Sequence, residues 1–114
     1  MDRGGGRMAR ARLETLTEQM YYVLLALVEP GHGYAAMERI GQLSHGRVQV
    51  GPGTLYTLLG RFEREQLIAL VREVENRKVY RLTEKGQAVL EREYDRLRRQ
   101  AEDGAALLGK GAAK

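Results

Sequence analysis

Leu16, Met20, Val23, Leu24 and Leu27 fall on one face at helical spacing and predict a first helix from about Thr17 to Val28, with a lead-in at Leu13–Leu16. Thr17 suits the N-cap, and Pro30-Gly31 stops the helix. A second helix is expected from about Tyr34 to Leu43, with Gly46 as its terminator. The third is the best specified: Val50-Gly51-Pro52-Gly53 is a turn whose proline fits the first helical position, and Leu55, Leu58, Leu59 and Phe62 follow at i, i+3, i+4 and i+7. At about 100° per residue, its opposite face carries Gly53, Thr57, Gly60 and Arg64, flanked by Thr54, Tyr56 and Arg61. That face holds small residues and only positive charges, so something can approach it closely.

After Leu67 the apolar period drops to two. Ile68, Leu70, Arg72 and Val74 alternate with Ala69, Val71 and Glu73, and the pattern resumes from Val79 to Thr83. Glu75-Asn76-Arg77-Lys78 connects the two runs, which predicts a hairpin with a basic tip. Thr83 then caps a last helix from Glu84 to about Asp103. Its apolar residues Leu90, Tyr94, Leu97 and Ala101 repeat twice per heptad, while most other positions are charged. So narrow a seam suits a partner helix, and a second copy of the chain is the expected partner.

The element order, helix, helix, turn, helix, hairpin, helix, is mainly α with a small β-hairpin and is the layout of a winged helix-turn-helix. The expected organisation is a flexible basic arm over 1–12 with Arg3, Arg7, Arg10 and Arg12, a winged helix-turn-helix domain over 13–83, a dimerisation helix over 84–103 and a flexible tail over 104–114. In such a domain the third helix enters the major groove and the hairpin reaches an adjacent groove or phosphates. Double-stranded DNA is the partner this predicts. The residues that would meet it are Tyr34, Gly53, Thr54, Tyr56, Thr57, Arg61, Arg64, Arg77 and Lys78. Five of them have a plainer alternative taken alone: Thr54 and Thr57 as solvated surface, Tyr56 packed on the second helix, Arg77 and Lys78 as edge protection. Their coincidence on one side of one architecture favours the DNA reading.

Composition narrows the field. One hundred and fourteen residues make a single domain with a modest core. With no cysteine, disulfides and thiolate chemistry are excluded. The longest mostly apolar run, Met20 to Val28, is far short of the ~20 residues of a membrane span, so a cytoplasmic protein with no membrane partner is expected. Nineteen basic residues against 15 acidic give a net charge of +4, which permits a polyanion but does not require one. From Arg47 to Arg81 there are seven basic and four acidic residues, so the excess collects over the proposed reading surface. An enzyme is not expected. His32 and His45 neighbour glycines in turns, without the helix-spaced partners of a metal or catalytic site, and read as surface or capping residues. No cofactor motif is present, and neither cofactor nor metal is expected.

Val50-Gly51-Pro52-Gly53-Thr54-Leu55-Tyr56-Thr57-Leu58-Leu59, with Phe62-Glu63 and Leu67-Ile68, closely resembles the recognition-helix signature of PadR-type transcriptional regulators. Gly33-Tyr34 and Tyr80-Arg81-Leu82-Thr83-Glu84-Lys85-Gly86 match as well, so the resemblance covers about residues 17–100. It implies a homodimeric winged-helix DNA-binding protein of the short form, commonly a repressor, whose last helix exchanges packing across the dimer through Leu90, Tyr94, Leu97 and Ala101. The wing departs from the pattern, since many members carry a Gly-Arg-Pro-Arg-Lys-like tip and this chain has Glu75-Asn76-Arg77-Lys78. Some members bind planar aromatic drugs at the dimer centre through a tryptophan, which this chain lacks. Tyr94 on the seam could serve in its place, but a packed core tyrosine is the plainer expectation. A small-molecule effector would enter between Met20, Tyr21, Met37 and Tyr94 of the last helix. The rival to DNA binding is a winged-helix protein-interaction module that does not read DNA, motivated by Glu63, Glu65, Glu73 and Glu75 near the surface.

Overall fold

The computed structural model describes residues 15–110. The arginine arm expected over 1–12, the lead-in at Leu13 and the last four residues of the tail lie outside them. The described elements are α1 (Glu18–Ala26), α2 (Gly33–Leu43), α3 (Pro52–Arg64), β1 (Ile68–Val74), β2 (Arg77–Leu82) and α4 (Glu84–Leu108). Winged helix-turn-helix is therefore the observed architecture, with the two antiparallel strands as the wing. No helix among these residues is long and apolar enough to cross a membrane.

Local chemistry sets the helix starts. The Thr17 hydroxyl accepts from the Met20 amide at 3.1 Å, and Thr83 accepts from Gly86 at 3.0 Å. His32 caps α2, its Nδ1 accepting from the Ala35 amide at 3.3 Å, so α2 opens at Gly33, one residue earlier than expected. Pro52 occupies the first turn of α3 after the N-cap Gly51. The predicted apolar faces are the buried ones: Leu16, Met20, Val23, Leu24 and Leu27 in and around α1, and Leu55, Leu59 and Phe62 in α3. Ala36, Ile40, Ile68, Tyr80, Leu82 and Leu90 complete the core.

α1 ends at Ala26, so Val28 lies outside the helix and half-exposed. The turn that follows is stitched by Arg39, a residue the sequence pattern did not single out. Its guanidinium donates to the carbonyls of Ala26, Glu29 and Pro30 at 2.8, 2.7 and 3.1 Å. Gly31 then pairs with Tyr80 through both backbone bonds, at 3.0 and 2.9 Å, and anchors the root of the wing to the α1–α2 turn.

Two expectations change in extent. The hairpin turn has two residues, not four: Glu75 and Asn76 have φ of 53° and 67°, the left-handed pair that matches strand twist, and this draws Arg77 and Lys78 into β2. The last helix does not end at Asp103 with a fraying tail. It continues through Gly104 to Leu108, because Ala105, Ala106, Leu107 and Leu108 are strong helix formers, and it closes at Gly109 in the left-handed region.

The tightest junction lies where α3, the wing and α4 meet. The last carbonyls around the end of α3 are taken from the far side of the wing: Lys85 Nζ donates to Glu65 at 3.0 Å, the Thr83 hydroxyl to Gln66 at 2.7 Å and the Thr83 amide to Leu67 at 3.0 Å. Gly86 lies against this knot so closely that a Cβ there would stand 2.0 Å from the Leu67 carbonyl oxygen. Backbone, not a mobile side chain, would have to move. Gly86→Ala is thus expected to destabilise the fold by about 3 kcal/mol, at the upper end of overpacking costs. Urea unfolding checks this, and a loss below about 0.5 kcal/mol would show that the junction yields.

Candidate nucleic-acid interface

The solvent face of α3 is as small and polar as its sequence predicts. Gly53, Thr54, Tyr56, Thr57 and Arg64 are exposed, and Gly60 is half-buried. Arg61 sits on the same helix, but its Nε is bonded to Glu65 at 3.0 Å one turn on, so its charge is partly answered within α3. Between α3 and the wing runs a cleft of about 420 Å³, lined by His32, Gly33, Tyr34, Tyr56, Asn76, Arg77, Lys78 and Tyr80. The structure thus brings together five of the predicted groups, Tyr34, Tyr56, Arg77 and Lys78 around the cleft with Thr57 on the adjoining helix face.

Tyr56 shows how the cleft is built. A Cβ on residue 33 would lie 2.6 Å from the Tyr56 hydroxyl and 2.8 Å from the ring carbon that bears it. Only glycine lets this ring lie across the start of α2, so Gly33 is a positioning residue that the sequence pattern read only as a helix opening. Tyr56 therefore both packs on the second helix and keeps 57% of its surface exposed. On the cleft floor, burial first and the Glu63 carboxylate second push the Tyr80 hydroxyl up from its ordinary value, keeping it a neutral donor.

The seam proposed on α4 divides. Leu90 is buried in the protomer's own core, because the first two turns of α4 pack on the rest of the domain, so it has nothing left to offer a partner. Tyr94 is 53% exposed and is not packed within the protomer. Leu97, Ala101 and Leu108 are also exposed, and the longer helix extends the same heptad row through Gly104 to Leu108.

Of the residues expected at an effector pocket, Met20 is buried in the core and Met37 packs against it. A groove of about 310 Å³ lies beside α4, lined by Leu16, Thr17, Glu18, Tyr21, Tyr22, Arg47, Glu93 and Leu97. Of the four expected residues, Tyr21 alone lines it. Among the described residues no group of three or more His, Asp or Glu side chains could hold a metal ion.

Glu93 was hidden among the charged positions of the last helix, yet it is 1% exposed. It lies at i+3 from Leu90 and i−4 from Leu97, inside the apolar stripe, and that placement was the available signal. Its carboxylate accepts from Arg96 at 3.0 Å through Nε and from the Leu16 amide at 3.4 Å, tying the entry to α1 onto α4. The Arg96 hydrogen bonds, opposed by burial and helped by Leu16, hold the Glu93 carboxyl below its ordinary value of 4.5. A depressed carboxyl contributes stability that is full above that ordinary value and is lost as pH falls through the lower folded value. Glu93→Gln should therefore lose less stability than wild type between about pH 5 and pH 3, measured by urea unfolding. Equal losses would remove Glu93 from the acid response.

Comparison with known proteins follows the same lines. Residues 23–92 match the model of the transcriptional regulator PadR-like family. The fold is similar to a PadR family transcriptional regulator from Eggerthella lenta, at 28% identity and TM-score 0.65 over 90% of this chain and 87% of that one. It is also similar to the PcaV transcriptional regulator of Streptomyces coelicolor, at 30% identity and TM-score 0.66 over 89% and 80% of the two chains. PcaV has also been solved in complex with its natural ligand. An uncharacterized 37.1 kDa protein in transposon TN4556 of Streptomyces fradiae is 43% identical over 72 residues, which are 62% of this chain and 20% of that protein's length.

Proposed function

Because the chain belongs to the PadR-like family of transcriptional regulators, we propose that it is a sequence-specific DNA-binding repressor that acts as a homodimer and has no enzymatic activity. The observation that carries this reading is the exposed Thr54, Tyr56 and Thr57 face of α3 beside a cleft bordered by Arg77 and Lys78. Thr57 lies near the centre of that face and is placed for base edges or phosphates in the major groove. The wing tip supplies sequence-independent contacts to phosphate. Tyr34, at the exposed start of α2, adds a phosphate contact on the other side of the cleft.

The exposed row Tyr94, Leu97, Ala101 and Leu108 supports pairing of α4 with a second copy. Two recognition helices would then meet half-sites about 34 Å apart. The groove beside Tyr21, Glu93 and Leu97 adjoins that row, so a partner helix would help to roof it. This arrangement, with the ligand complex of PcaV, supports control by a small-molecule effector.

In gel shifts on a duplex selected from a random pool, Thr57→Ala should weaken specific binding by about 1–3 kcal/mol, roughly tenfold to hundredfold. Arg77→Ala should weaken binding to every sequence and make the salt dependence shallower by about 0.9 for each phosphate no longer neutralised. Specific binding retained by both variants would move the reading surface elsewhere. Absence of any DNA affinity at low salt would favour a protein-interaction module. An effector should change the affinity for the selected duplex, and a panel of aromatic acids with no such effect would count against one of that class.

Leu97→Glu places a carboxylate in the α4 row and should yield a monomer by light scattering, with the domain still folded because Leu97 lies outside the core. An unchanged dimer would put the interface on another surface.

A further inference from the structure

The two faces of the wing differ in charge, and the strand register decides how. Residues directly opposite each other in an antiparallel pair point to the same face. Ile68 pairs with Leu82, Leu70 with Tyr80 and Glu73 with Lys78, which places these six side chains on one face. That face is turned toward α3, since Tyr80 lines the cleft with Tyr56. Ala69 pairs with Arg81, Arg72 with Val79 and Val74 with Arg77, so the other face carries three arginines around the buried Val79 and no carboxylate from either strand; Arg77, at the tip, also borders the cleft.

A bulge between Leu70 and Arg72, with Val71 as the extra residue, produces this division. With strict alternation Arg72 would stand on the inner face with Ile68 and Leu70, and Glu73 would point outward beside Arg77. One inserted residue exchanges them. On the inner face Glu73 then lies opposite Lys78, and Glu63 of α3 lies beside Tyr80, so that face sets two carboxylates near its one lysine. On the outer face the arginines stand at successive levels of the ladder, about 7 Å apart along the strands, as a row of charge about 13 Å long.

We propose that this outer face, Arg72 together with Arg77 and Arg81, is a second DNA-contact surface that takes the sugar-phosphate backbone of the strand beyond the wing tip. The inference rests on the DNA-binding reading above and adds to it two residues, Arg72 and Arg81, that the sequence did not mark. Guanidinium groups suit this task because their planar forks bond phosphate oxygens in pairs. Arg81 has one N–H on the Leu82 carbonyl at 3.1 Å, which fixes its side chain near the root of the row. Lys78 stands opposite Glu73 in the ladder and contributes less to phosphate binding than its place at the tip suggested.

The test is a charge exchange that leaves composition and net charge unchanged. A protein carrying Arg72→Glu with Glu73→Arg is compared with wild type by fluorescence anisotropy on a labelled mixed-sequence duplex between about 50 and 200 mM salt. Arg72→Gln and Lys78→Ala are measured beside it, and thermal midpoints are recorded for all. The expected result is a loss of about tenfold or more in affinity for the exchanged protein. Arg72→Gln should show a salt slope shallower by about 0.9, and Lys78→Ala a smaller change, at unaltered midpoints. Wild-type affinity and slope in both the exchanged protein and Arg72→Gln would overturn the proposal while leaving the DNA-binding reading intact. Wild-type protein without affinity for the duplex at the lowest salt would overturn that reading and this inference together.

Discussion

The close contact of Gly86 with the Leu67 carbonyl joins the parts of this protein that must keep a fixed relation to one another. α3 ends at Arg64, three residues before Leu67, β1 begins immediately after Leu67, and β2 returns the chain to Thr83 at the start of α4. Helix carbonyls at a C-terminus lack partners within their own helix. In α3 those of Arg61, Phe62 and Glu63 are taken by the amides of Glu65, Leu67 and Gln66, and the carbonyls of these three residues in turn accept from Lys85 and Thr83, one strand pair later in the sequence. The run Thr83-Glu84-Lys85-Gly86 thus has a physical task at each marked position: Thr83 caps α4 and bonds to the end of α3, Lys85 reaches Glu65, and Gly86 leaves room for the approach. α3, the wing and α4 are locked at one point.

A second anchor holds the wing from the opposite side. Gly31 forms a short bridge to Tyr80, and Arg39 secures the turn that delivers Gly31. The wing is fixed at its root by these bonds and by Ile68, Tyr80 and Leu82 in the core, while Leu70, Val71 and Val74 project into solvent. A rigid root with an exposed arm suits a contact surface, because little ordering is left to be done on binding. The same economy appears at Tyr56, whose ring is placed by the absence of a side chain at Gly33.

Much of this was legible along the chain. The apolar faces of α1 and α3, the caps at Thr17 and Thr83, the proline start of α3 and the hairpin all follow from rules that act within one element, where spacing alone assigns a face. The composition of the α3 surface was legible for the same reason. Leu90, Glu93 and the placing of Met20 and Met37 were not. Leu90 and Tyr94 look alike in a heptad, but only the packing of neighbouring elements shows that one is already buried. Glu93 looks like its charged neighbours until Leu16 and Arg96 are brought to it. The two methionines lie on sequence-adjacent helices, yet both turn toward the core.

By itself, then, the sequence determined which elements form, which faces they bury and which family signature they carry, because periodicity, capping and turn chemistry are local. The tertiary structure alone decided which exposed groups share a surface. One extra residue in β1 placed Arg72 with Arg77 and Arg81 and turned Glu73 toward the cleft. No local rule reveals that exchange, since a strand's faces are set by the partner it pairs with, and a one-residue slip reverses every side chain beyond it.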